Sequence, residues 1–482
     1  MRQGRVVLHV VGILTAFVGL SMLLPAGVSW AYGEPAAIRL LAAALITAFA
    51  GVLLYRLTPR PSEISIRDGF AIVTVGWVVV GLFGTLPYVL TGSVETFHHA
   101  FFESMSGLTT TGATIVDEIA ALPKGVVLWR SQTQWMGGMG IIVLSVAILP
   151  LLGVGGMQLL RAEIPGLAPD RLRPRVRQTA SLLWGVYAVL TAAEMALLWF
   201  GGMSLFEAVN HGFTTMATGG FSTEDASIGA FDSAFLQYVI ALFIFFAGVN
   251  FTLHYSWLTG NWRAPWRNRE LRVYAVLVAG ATAVLTLLVW VPGTGGGVEE
   301  SFRAGLFQAV SIMTTTGYVT ADYEAWIGPA QTLLFLLMLI GGCTGSTAGS
   351  IKVLRHMLVF EEARIALKKL LHPQGVFVYK LDGEPVSQDV LANVSGFLLL
   401  YLGLLATGVF ALALIGLDVT TAIGAATATI GNVGPGFGLV GPAETYAPLP
   451  VASLWVLSAL MLLGRLEIFT VIVLFTGSYW RR

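Results

Sequence analysis

The sequence predicts an all-α membrane protein with four tandem pore repeats around a pseudo-fourfold pore axis, preceded by two extra N-terminal transmembrane helices. The composition, a series of long apolar runs and four short Thr/Gly loops predict this class. Of the 482 residues, 56% are hydrophobic and only 11% are charged, against roughly 25% charged residues in soluble domains. Lys plus Arg equals Asp plus Glu at 27 each, so no basic field exists to attract nucleic acid. The single cysteine, Cys343, excludes an internal disulfide framework.

Apolar runs of about 20 residues, the length that crosses ~30 Å of hydrocarbon as a helix, recur along the chain. Ten of them are predicted to span the membrane: 6–30, 36–57, 69–90, 125–152, 180–200, 233–257, 273–291, 330–360, 391–417 and 449–475. Four shorter apolar stretches, at 94–108, 203–215, 302–314 and 420–428, end in Thr/Gly clusters and are predicted to be re-entrant. The first run is longer than the apolar part of a signal peptide, so we expect it to be retained.

The charged residues predict the orientation of the chain. Most of the 27 basic residues fall at the two termini and in the loops on the same side as the termini. Because Lys and Arg concentrate in cytoplasmic loops, both termini are predicted to be cytoplasmic. The opposite loops are acidic and contain, among others, Asp117, Glu224, Asp225 and Glu444. Such a surface raises the local concentration of cations, although for any single residue ordinary solvated loop charge is the favoured explanation.

The last eight spans form pairs, and each pair encloses one re-entrant stretch. The predicted units are 1–66 for the two N-terminal helices, 67–160 for repeat 1, 161–262 for repeat 2, 263–365 for repeat 3 with a gate loop, and 366–482 for repeat 4. We take Gly112, Gly219, Gly317 and Gly434 as equivalent glycines about 100 residues apart. Each repeat crosses the membrane twice, so all four share one orientation around an axis along the membrane normal, unlike inverted repeats.

Four such loops around one axis predict a cation pore. Non-helical backbone at membrane depth is tolerated where it lines a wet cavity, and rings of carbonyl oxygens can replace the water shell of a monovalent cation. Each short helix would also direct its negative C-terminal end toward the centre. A single Thr-Thr-Gly is usually a plain turn, but four matched copies favour a pore. The predicted K⁺-binding residues are Thr110, Thr111, Gly112, Thr218, Gly219, Thr315, Thr316, Gly317, Asn432, Val433 and Gly434.

The third loop, Thr-Thr-Gly-Tyr, is similar to the Thr-Val-Gly-Tyr-Gly of potassium channel filters. The other loops continue with Ala113, Gly220 and Pro435 instead. We therefore expect a partly regular filter that discriminates less sharply among K⁺, Rb⁺ and Na⁺ than a symmetric channel does.

A second glycine cluster interrupts the predicted span 330–360. Glycines and hydroxyl residues at this depth predict an irregular loop beneath the filter, which we interpret as a gate. Gly341 and Gly345 also match Gly-x-x-x-Gly, so a glycine-lined helix crossing is the alternative. The gate loop comprises Gly341, Gly342, Cys343, Thr344, Gly345, Ser346, Thr347, Ala348, Gly349 and Ser350.

Arg465 is the basic residue that we place deep in a predicted span, where an uncompensated charge costs several kcal/mol. Glu467 at i+2 faces away from it on a helix, so carbonyls of the gate loop are the expected partners. A pore-facing Arg465 would be an electrostatic barrier to cations; a helix-packing salt link is the alternative. Glu103 and Glu207 lie on the re-entrant helices and are expected to hydrogen-bond there.

These motifs, with Asn-Val-Gly-Pro-Gly at 432–436, His-Pro at 372–373 and Gly-Arg-Leu-Glu-Ile-Phe-Thr at 464–470, resemble the TrkH family of membrane subunits of bacterial Trk potassium uptake systems. The resemblance covers nearly the whole chain, and the two spans before the repeats fit TrkH rather than the shorter KtrB proteins. It implies K⁺ uptake across the bacterial inner membrane, surrounded by lipid, by a homodimer with one pore per protomer. It also implies regulation by a TrkA-like cytoplasmic ring that binds nucleotides, with K⁺ as the transported ion and no bound organic cofactor.

The resemblance assigns the four loops to the family's filter, 341–350 to its intramembrane gate and Arg465 to its pore arginine. Thr344, Ala348 and Ser350 stand where relatives often have smaller residues or glycine, which leaves the flexibility of this gate open. The basic segments 171–177 and 263–272 either dock the partner or only reflect topology.

The alternative function is a K⁺ symporter coupled to H⁺ or Na⁺, for which Glu194 in a repeat-forming span is a candidate. An enzyme is disfavoured because the sequence shows no nucleophile–base pair, metal cluster or phosphate-binding loop.

Overall fold

The computed structural model describes residues 2–59, 65–147, 172–293, 296–375, 377–382 and 384–481. The described chain is almost entirely helical, which confirms the all-α class. Two N-terminal helical segments, Arg2–Ser21 continued by Leu23–Ala31 and Ala36–Leu57, precede the repeats. Their backbones lie very close together, since a Cβ on Gly19 would be 2.3 Å from the Ala48 nitrogen. Glycine at such a crossing lets two helices approach through their backbones.

Each of the four repeats that follow consists of an outer helix, a short pore helix and an inner helix. The outer helices are Ile66–Gly84 with Leu86–Thr91, Leu172–Phe200, Arg269–Trp290 and Gln388–Ile415. The pore helices are Phe97–Leu108, Leu205–Met216, Val298–Met313 and Val419–Ile430. The inner helices are Lys124–Ala147, Ala234–Ala247 with Phe251–Leu258, Gly328–Met338 with Val353–Leu371, and Val451–Arg465 with Phe469–Ile472.

Smaller elements connect the helices. They are the helices Ala264–Arg267 and Gly477–Trp480, the 3-10 turns Ile119–Ala121, Ser227–Ala230, Tyr323–Ala325 and Val473–Phe475, and the strands Lys380–Leu381 and Glu384–Pro385. The two strands form an antiparallel hairpin before the last outer helix.

Six helices in the described ranges are long and apolar enough to cross a membrane, or up to eight spans if each of two bent pairs is counted as one. The predicted span 125–152 corresponds to Lys124–Ala147, and its residues beyond 147 lie outside the described residues. The predicted span 330–360 is not one helix, because the chain leaves helical geometry between Gly328–Met338 and Val353–Leu371. The predicted boundaries of the repeats stay predictions.

The inner helices of repeats 2, 3 and 4 break beneath the pore helices, whereas that of repeat 1 is continuous over Lys124–Ala147. In repeat 2 the two halves are bent by 102°, and in repeat 4 by 107°. In repeat 3 the break is the whole glycine cluster. The breaks contact each other, since the Cys343 N–H donates to the Gly248 carbonyl at 2.8 Å and Arg465 donates to the Thr347 carbonyl at 2.7 Å. Non-helical backbone from three repeats is thus buried together inside the helical shell, as membrane depth requires.

Candidate functional site: a ring of four loops under an acidic cavity

The four pore helices end in the same backbone conformation. The second residue after each helix has a left-handed φ: Thr110 (52°), Thr218 (52°), Thr315 (61°) and Asn432 (55°). The next N–H then donates to the carbonyl five residues earlier, at 2.9 Å for Thr111 to Ser106 and at 2.8 Å in the other three repeats. This is a Schellman-type helix end, which favours glycine. Threonine in three of the four positions costs of order 1–3 kcal/mol each, and such strain is typical of functional sites.

A second left-handed residue follows two positions later in every loop. These residues are Gly112 (φ 80°), Gly220 (78°), Gly317 (78°) and Gly434 (104°). The residue between these two positions has no positive φ in any of the four loops, so the sign of φ alternates in the same way in all of them. The equivalence assigned to Gly219 from the sequence is therefore wrong by one residue. Gly219 corresponds to Thr111, Thr316 and Val433, and the ring glycine of repeat 2 is Gly220, which sequence reasoning missed.

The four loops close into a ring. A Cβ on Gly112 would lie 2.2 Å from the Gly219 oxygen, and one on Gly220 would lie 2.1 Å from the Thr316 oxygen. A Cβ on Gly317 would lie 1.9 Å from the Val433 oxygen. The ring closes where a Cβ on Gly434 would lie 2.6 Å from the Thr111 oxygen. Each ring glycine thus abuts one carbonyl of the next repeat, and any side chain at these positions would displace that oxygen.

The carbonyls of the ring are buried but poorly supplied with protein donors. In the three-residue segments 110–112, 218–220, 315–317 and 432–434, as described, hydrogen-bond donors reach only the Gly219 and Gly434 oxygens. Gln134 donates to Gly219 at 2.6 Å, and Tyr446 donates to Gly434 at 2.7 Å. Buried carbonyls normally have a hydrogen-bond partner. The remaining carbonyl oxygens of the ring have no protein donor among the described residues, so they can coordinate water or a cation instead.

All four ring glycines line one cavity of about 150 Å³ on the side of the ring opposite the gate loop. Its other walls carry the carboxylates predicted for the acidic outer surface: Asp117, Glu224, Asp225 and Glu444. Partial burial raises the pKa of Glu224, and the neighbouring carboxylates raise it further. Arg130 also lines the cavity but is paired with Glu103, so the four carboxylates leave a net negative charge directly above the ring.

A buried ion pair supports the loop of repeat 1. Glu103 accepts hydrogen bonds from the Thr114 hydroxyl at 3.0 Å and the Ile115 N–H at 3.0 Å, which confirms its predicted role on the pore helix. It also pairs with Arg130 at 2.7 Å, and both side chains are almost fully buried. Arg465 is therefore not the sole basic side chain buried in a span, because Arg130 lies in the inner helix of repeat 1. Glu207 hydrogen-bonds at the start of its own helix, where its carboxylate accepts from the backbone N–H of the N-cap residue Ser204 at 2.8 Å.

The predicted gate loop lies directly beneath the ring. The Gly349 N–H donates to the Thr315 hydroxyl at 2.7 Å, and the Thr347 hydroxyl donates to the Met216 carbonyl at 3.1 Å. A Cβ on Gly349 would lie 2.4 Å from the Gly431 oxygen. The loop thus contacts the inner ends of three of the four pore loops.

The loop is not a helix crossing, so the Gly-x-x-x-Gly alternative is wrong. Gly341 (φ 84°) and Gly345 (φ 79°) adopt left-handed backbone angles that no helix contains. A carboxylate also holds the loop, since Glu270 accepts from the N–H groups of Thr344 at 2.6 Å and Leu354 at 3.2 Å. Sequence reasoning missed Glu270, whose partners lie more than 70 residues away.

Arg465 binds the gate loop as the sequence predicted. Its Nη1 donates to the Thr347 carbonyl at 2.7 Å, and its Nη2 lies 3.4 Å from the Gly137 carbonyl of repeat 1. The side chain is 2% exposed. A positive charge is thus fixed beneath the ring by backbone oxygens rather than by a carboxylate.

Glu467 binds the other end of the gate loop. Its carboxylate pairs with Lys352 at 2.8 Å and with Arg355 at 2.5 Å. All three side chains are buried. The basic-residue count treated Lys352 and Arg355 as part of a cytoplasmic loop; the structure instead buries them at the end of the gate loop.

Two further expectations concern residues away from the ring. Glu194 is fully buried on the outer helix of repeat 2, and its polar neighbour in the described part of the chain is the Thr215 hydroxyl on the pore helix of the same repeat. Of the basic segment 171–177, Arg171 lies outside the described residues, and the rest begins the helix Leu172–Phe200. The other basic segment, 263–272, contains Ala264–Arg267 and the start of Arg269–Trp290.

Comparison with known proteins gives the same result by sequence and by structure. The TrkH family model, described as cation transport protein, matches residues 38–482. The Trk system potassium uptake protein TrkH of Salmonella typhimurium is 40% identical over 481 residues, which cover 99% of each chain. The protein of that name from Escherichia coli K12 is also 40% identical, with 99% coverage of both chains. The crystal structure of the potassium transporter TrkH from Vibrio parahaemolyticus superposes with a TM-score of 0.92 and 37% identity, over 99% of this chain and 100% of that one.

Proposed function

The chain belongs to the TrkH family of cation transport proteins, and from that premise we propose that it takes up potassium across the bacterial inner membrane. The route would be a gated, channel-like pore with a filter of backbone carbonyls. The observation that carries the proposal is the closed ring, in which each glycine abuts a carbonyl of the next repeat and most carbonyls lack a protein donor.

The ion would first collect in the acidic cavity, where nearby carboxylates raise its local concentration. It would then lose its water between the four loops, where carbonyl oxygens replace the hydration shell. The four pore helices direct their C-terminal ends at the ring, so their dipoles favour a cation over an anion. The protein thus offers oxygen ligands and partial negative charge, and no bound organic cofactor is needed.

The loops are chemically unequal, which supports a filter less selective than that of a symmetric channel. Repeats 1 and 3 supply Thr-Thr-Gly, whereas repeat 2 supplies Thr-Gly-Gly and repeat 4 supplies Asn-Val-Gly. Carbonyls held by different neighbours differ in mobility, and a mobile oxygen adapts to the smaller Na⁺. The proposal therefore includes measurable Na⁺ competition.

The gate loop and Arg465 would together close the inner side of the ring. The loop donates a hydrogen bond to the Thr315 hydroxyl, and the positively charged Arg465 donates to the Thr347 carbonyl of the loop. Both features oppose the exit of a cation, so opening requires the loop to move and Arg465 to release it.

The family resemblance supports two further parts of the proposal, a homodimer with one pore per protomer and regulation by a TrkA-like ring that binds nucleotides. The distribution of basic residues supports a third, that both termini are cytoplasmic. The helix Val353–Leu371 extends from the gate loop and carries exposed residues along its second half, so a cytoplasmic partner has a direct route to the gate.

Glu194 favours coupled transport as a second candidate function. A buried carboxyl whose polar neighbour is a single hydroxyl, that of Thr215, is suited to exchange a proton. A K⁺ symporter that uses H⁺ would have a reversal potential that shifts with pH, whereas an uncoupled pore follows the K⁺ gradient alone. Coupling to Na⁺ would instead shift the reversal potential with Na⁺.

The proposed function is tested in a bacterial strain that lacks its own potassium uptake systems. Cells that express the full chain should grow at low K⁺ and take up Rb⁺ faster than cells with an empty vector. Excess K⁺ should suppress this Rb⁺ uptake more strongly than excess Na⁺ does. Membrane insertion without any gain in Rb⁺ uptake would contradict the proposal.

A further inference from the structure

Repeat 2 lacks a side chain at one position of the ring where the other repeats have one. The middle residue of the three-residue segment is Thr111 in repeat 1, Thr316 in repeat 3 and Val433 in repeat 4, but Gly219 in repeat 2. The Thr111 hydroxyl hydrogen-bonds with that of Thr109 at 2.7 Å.

The corresponding hydroxyl pair in repeat 3 is Thr316 with Thr314, at 2.9 Å. Repeat 2 has Ala217 and Gly219 at these positions and therefore no hydroxyl to bond. Its loop must be held in another way.

Gln134, from the inner helix of repeat 1, fills the place of the missing side chain. A Cβ on Gly219 would lie 2.4 Å from the Gln134 Cδ atom. The Gln134 Nε2 donates to the Gly219 carbonyl at 2.6 Å, and its Oε1 accepts from the Phe221 N–H at 3.1 Å. The amide is fully buried and binds the backbone on both sides of the ring glycine Gly220.

We propose that Gln134 is a positioning residue of the ion pathway, which replaces the side chain that repeat 2 lacks and fixes the Gly219 carbonyl in the oxygen ring. The inference rests on the proposed function of the ring. Without the amide, the Gly219 oxygen is free to move, and a mobile carbonyl closes around Na⁺ more easily than a fixed one. Gln134 thus contributes to selectivity without itself binding the ion.

A swap of side chains tests this directly. Gln134→Ala removes a methylene and a carboxamide, while Gly219→Thr supplies the hydroxyl and methyl that repeats 1 and 3 have. The backbone of Gly219 has no positive φ, so threonine fits its conformation once the amide is gone. With Gln134 present, the new Cβ collides with the amide.

The readout is the preference for Rb⁺ over Na⁺ in cells that express the full chain. Each single variant should lower this preference about fivefold, the equivalent of roughly one hydrogen bond. The double variant Gln134→Ala/Gly219→Thr should lose less than the two single losses combined, because threonine fills the space that the amide vacates and contacting residues are not additive.

Gln132 is the matched control on the same helix. Its amide points away from the ring and donates to the Ser21 carbonyl at 2.8 Å. Gln132→Ala should leave the ion preference unchanged, and it should not rescue Gly219→Thr.

Three results would overturn the inference. The first is a double variant whose loss equals the sum of the two single losses. The second is single variants that lower total Rb⁺ uptake without a change in ion preference, since this is the mark of a purely structural residue. The third is rescue by Gln132→Ala.

Melting temperatures of the purified proteins separate this inference from the proposed function. Both single variants should melt lower than the unsubstituted chain, and the double variant should recover. If the unsubstituted chain moved no Rb⁺, the proposed function would fail, while recovery of the melting temperature would still support the replacement of a side chain by Gln134. Absence of that recovery would refute the replacement itself.

Discussion

A side chain at the third ring glycine should destroy the ion preference of the pore. Gly317 has a φ of +78°, and a Cβ there would lie 1.9 Å from the Val433 oxygen and 2.8 Å from the Pro435 Cδ. Gly317→Ser therefore meets both an unfavourable backbone angle and a collision with a carbonyl that faces the ring. Neither neighbour is the flexible end of a long side chain, so the collision cannot be relieved cheaply.

The size of the effect follows from this geometry. Ordinary contact begins at 3.4 Å, so the Val433 oxygen must retreat by about 1.5 Å, which takes it out of coordination distance. The left-handed angle adds roughly 1–2 kcal/mol for any residue other than glycine. If the difference in binding free energy between K⁺ and Na⁺ shrinks by about 1.4 kcal/mol or more, the preference for K⁺ over Na⁺ decreases by at least about tenfold.

The assay compares suppression of Rb⁺ uptake by K⁺ and by Na⁺ in cells that express each variant. Gly280→Ser is the matched control, because Gly280 lies in the outer helix of the same repeat with open space around its Cα. We expect Gly280→Ser to keep the preference of the unsubstituted chain. A Gly317→Ser protein that reaches the membrane with normal K⁺ over Na⁺ preference would refute the reasoning about the ring.

Three further predictions concern charge around the ring. Arg465→Ala removes the cation that binds the Thr347 carbonyl and should raise the maximal rate of Rb⁺ uptake several-fold. Partial burial raises the pKa of Glu224, so this carboxylate loses its charge at a higher pH than an ordinary carboxyl does. Uptake at low Rb⁺ should therefore decrease as the external pH is lowered, and the decrease should be smaller in Glu224→Gln. Glu103→Leu leaves Arg130 buried without its carboxylate, which should cost about 3–5 kcal/mol and lower the melting temperature.

Each of these predictions has a control in the same chain. Arg465→Lys keeps the charge and should raise uptake less than Arg465→Ala; equal increases would contradict an electrostatic barrier. Glu118→Gln removes an exposed carboxylate that does not line the cavity, and it should leave the pH profile unchanged. Arg364→Leu breaks an exposed ion pair with Glu361 worth less than about 1 kcal/mol; a fall in melting temperature as large as that of Glu103→Leu would contradict the burial argument.

The repeats and the pore loops could be predicted from the sequence because their signals are local. Apolar runs report the spans, and a Thr/Gly cluster after each short run reports a helix that stops within the membrane. The register of repeat 2 could not be read in this way, since Gly219 and Gly220 are both glycines. The two differ only in backbone angle, which depends on the loop next to them in the ring.

The burial of charged side chains was the other feature that could not be predicted from the sequence. Arg130, Lys352 and Arg355 lie near the ends of apolar runs, where a basic residue usually indicates a loop. Their burial depends on carboxylates distant in sequence; the partner of Lys352, for example, is Glu467 at a separation of 115 residues. No local pattern reports such a pair. The same holds for Gln134, a neutral residue inside a helix whose bond to Gly219 spans 85 residues.

The most direct test of the account is the location of alkali ions in crystals of this protein grown in Rb⁺. Anomalous scattering reports Rb⁺ positions independently of any transport assay. The account predicts an Rb⁺ peak on the axis between the carbonyl oxygens of Thr111, Gly219, Thr316 and Val433. Rb⁺ peaks confined to the acidic outer cavity, with none between the four loops, would contradict it.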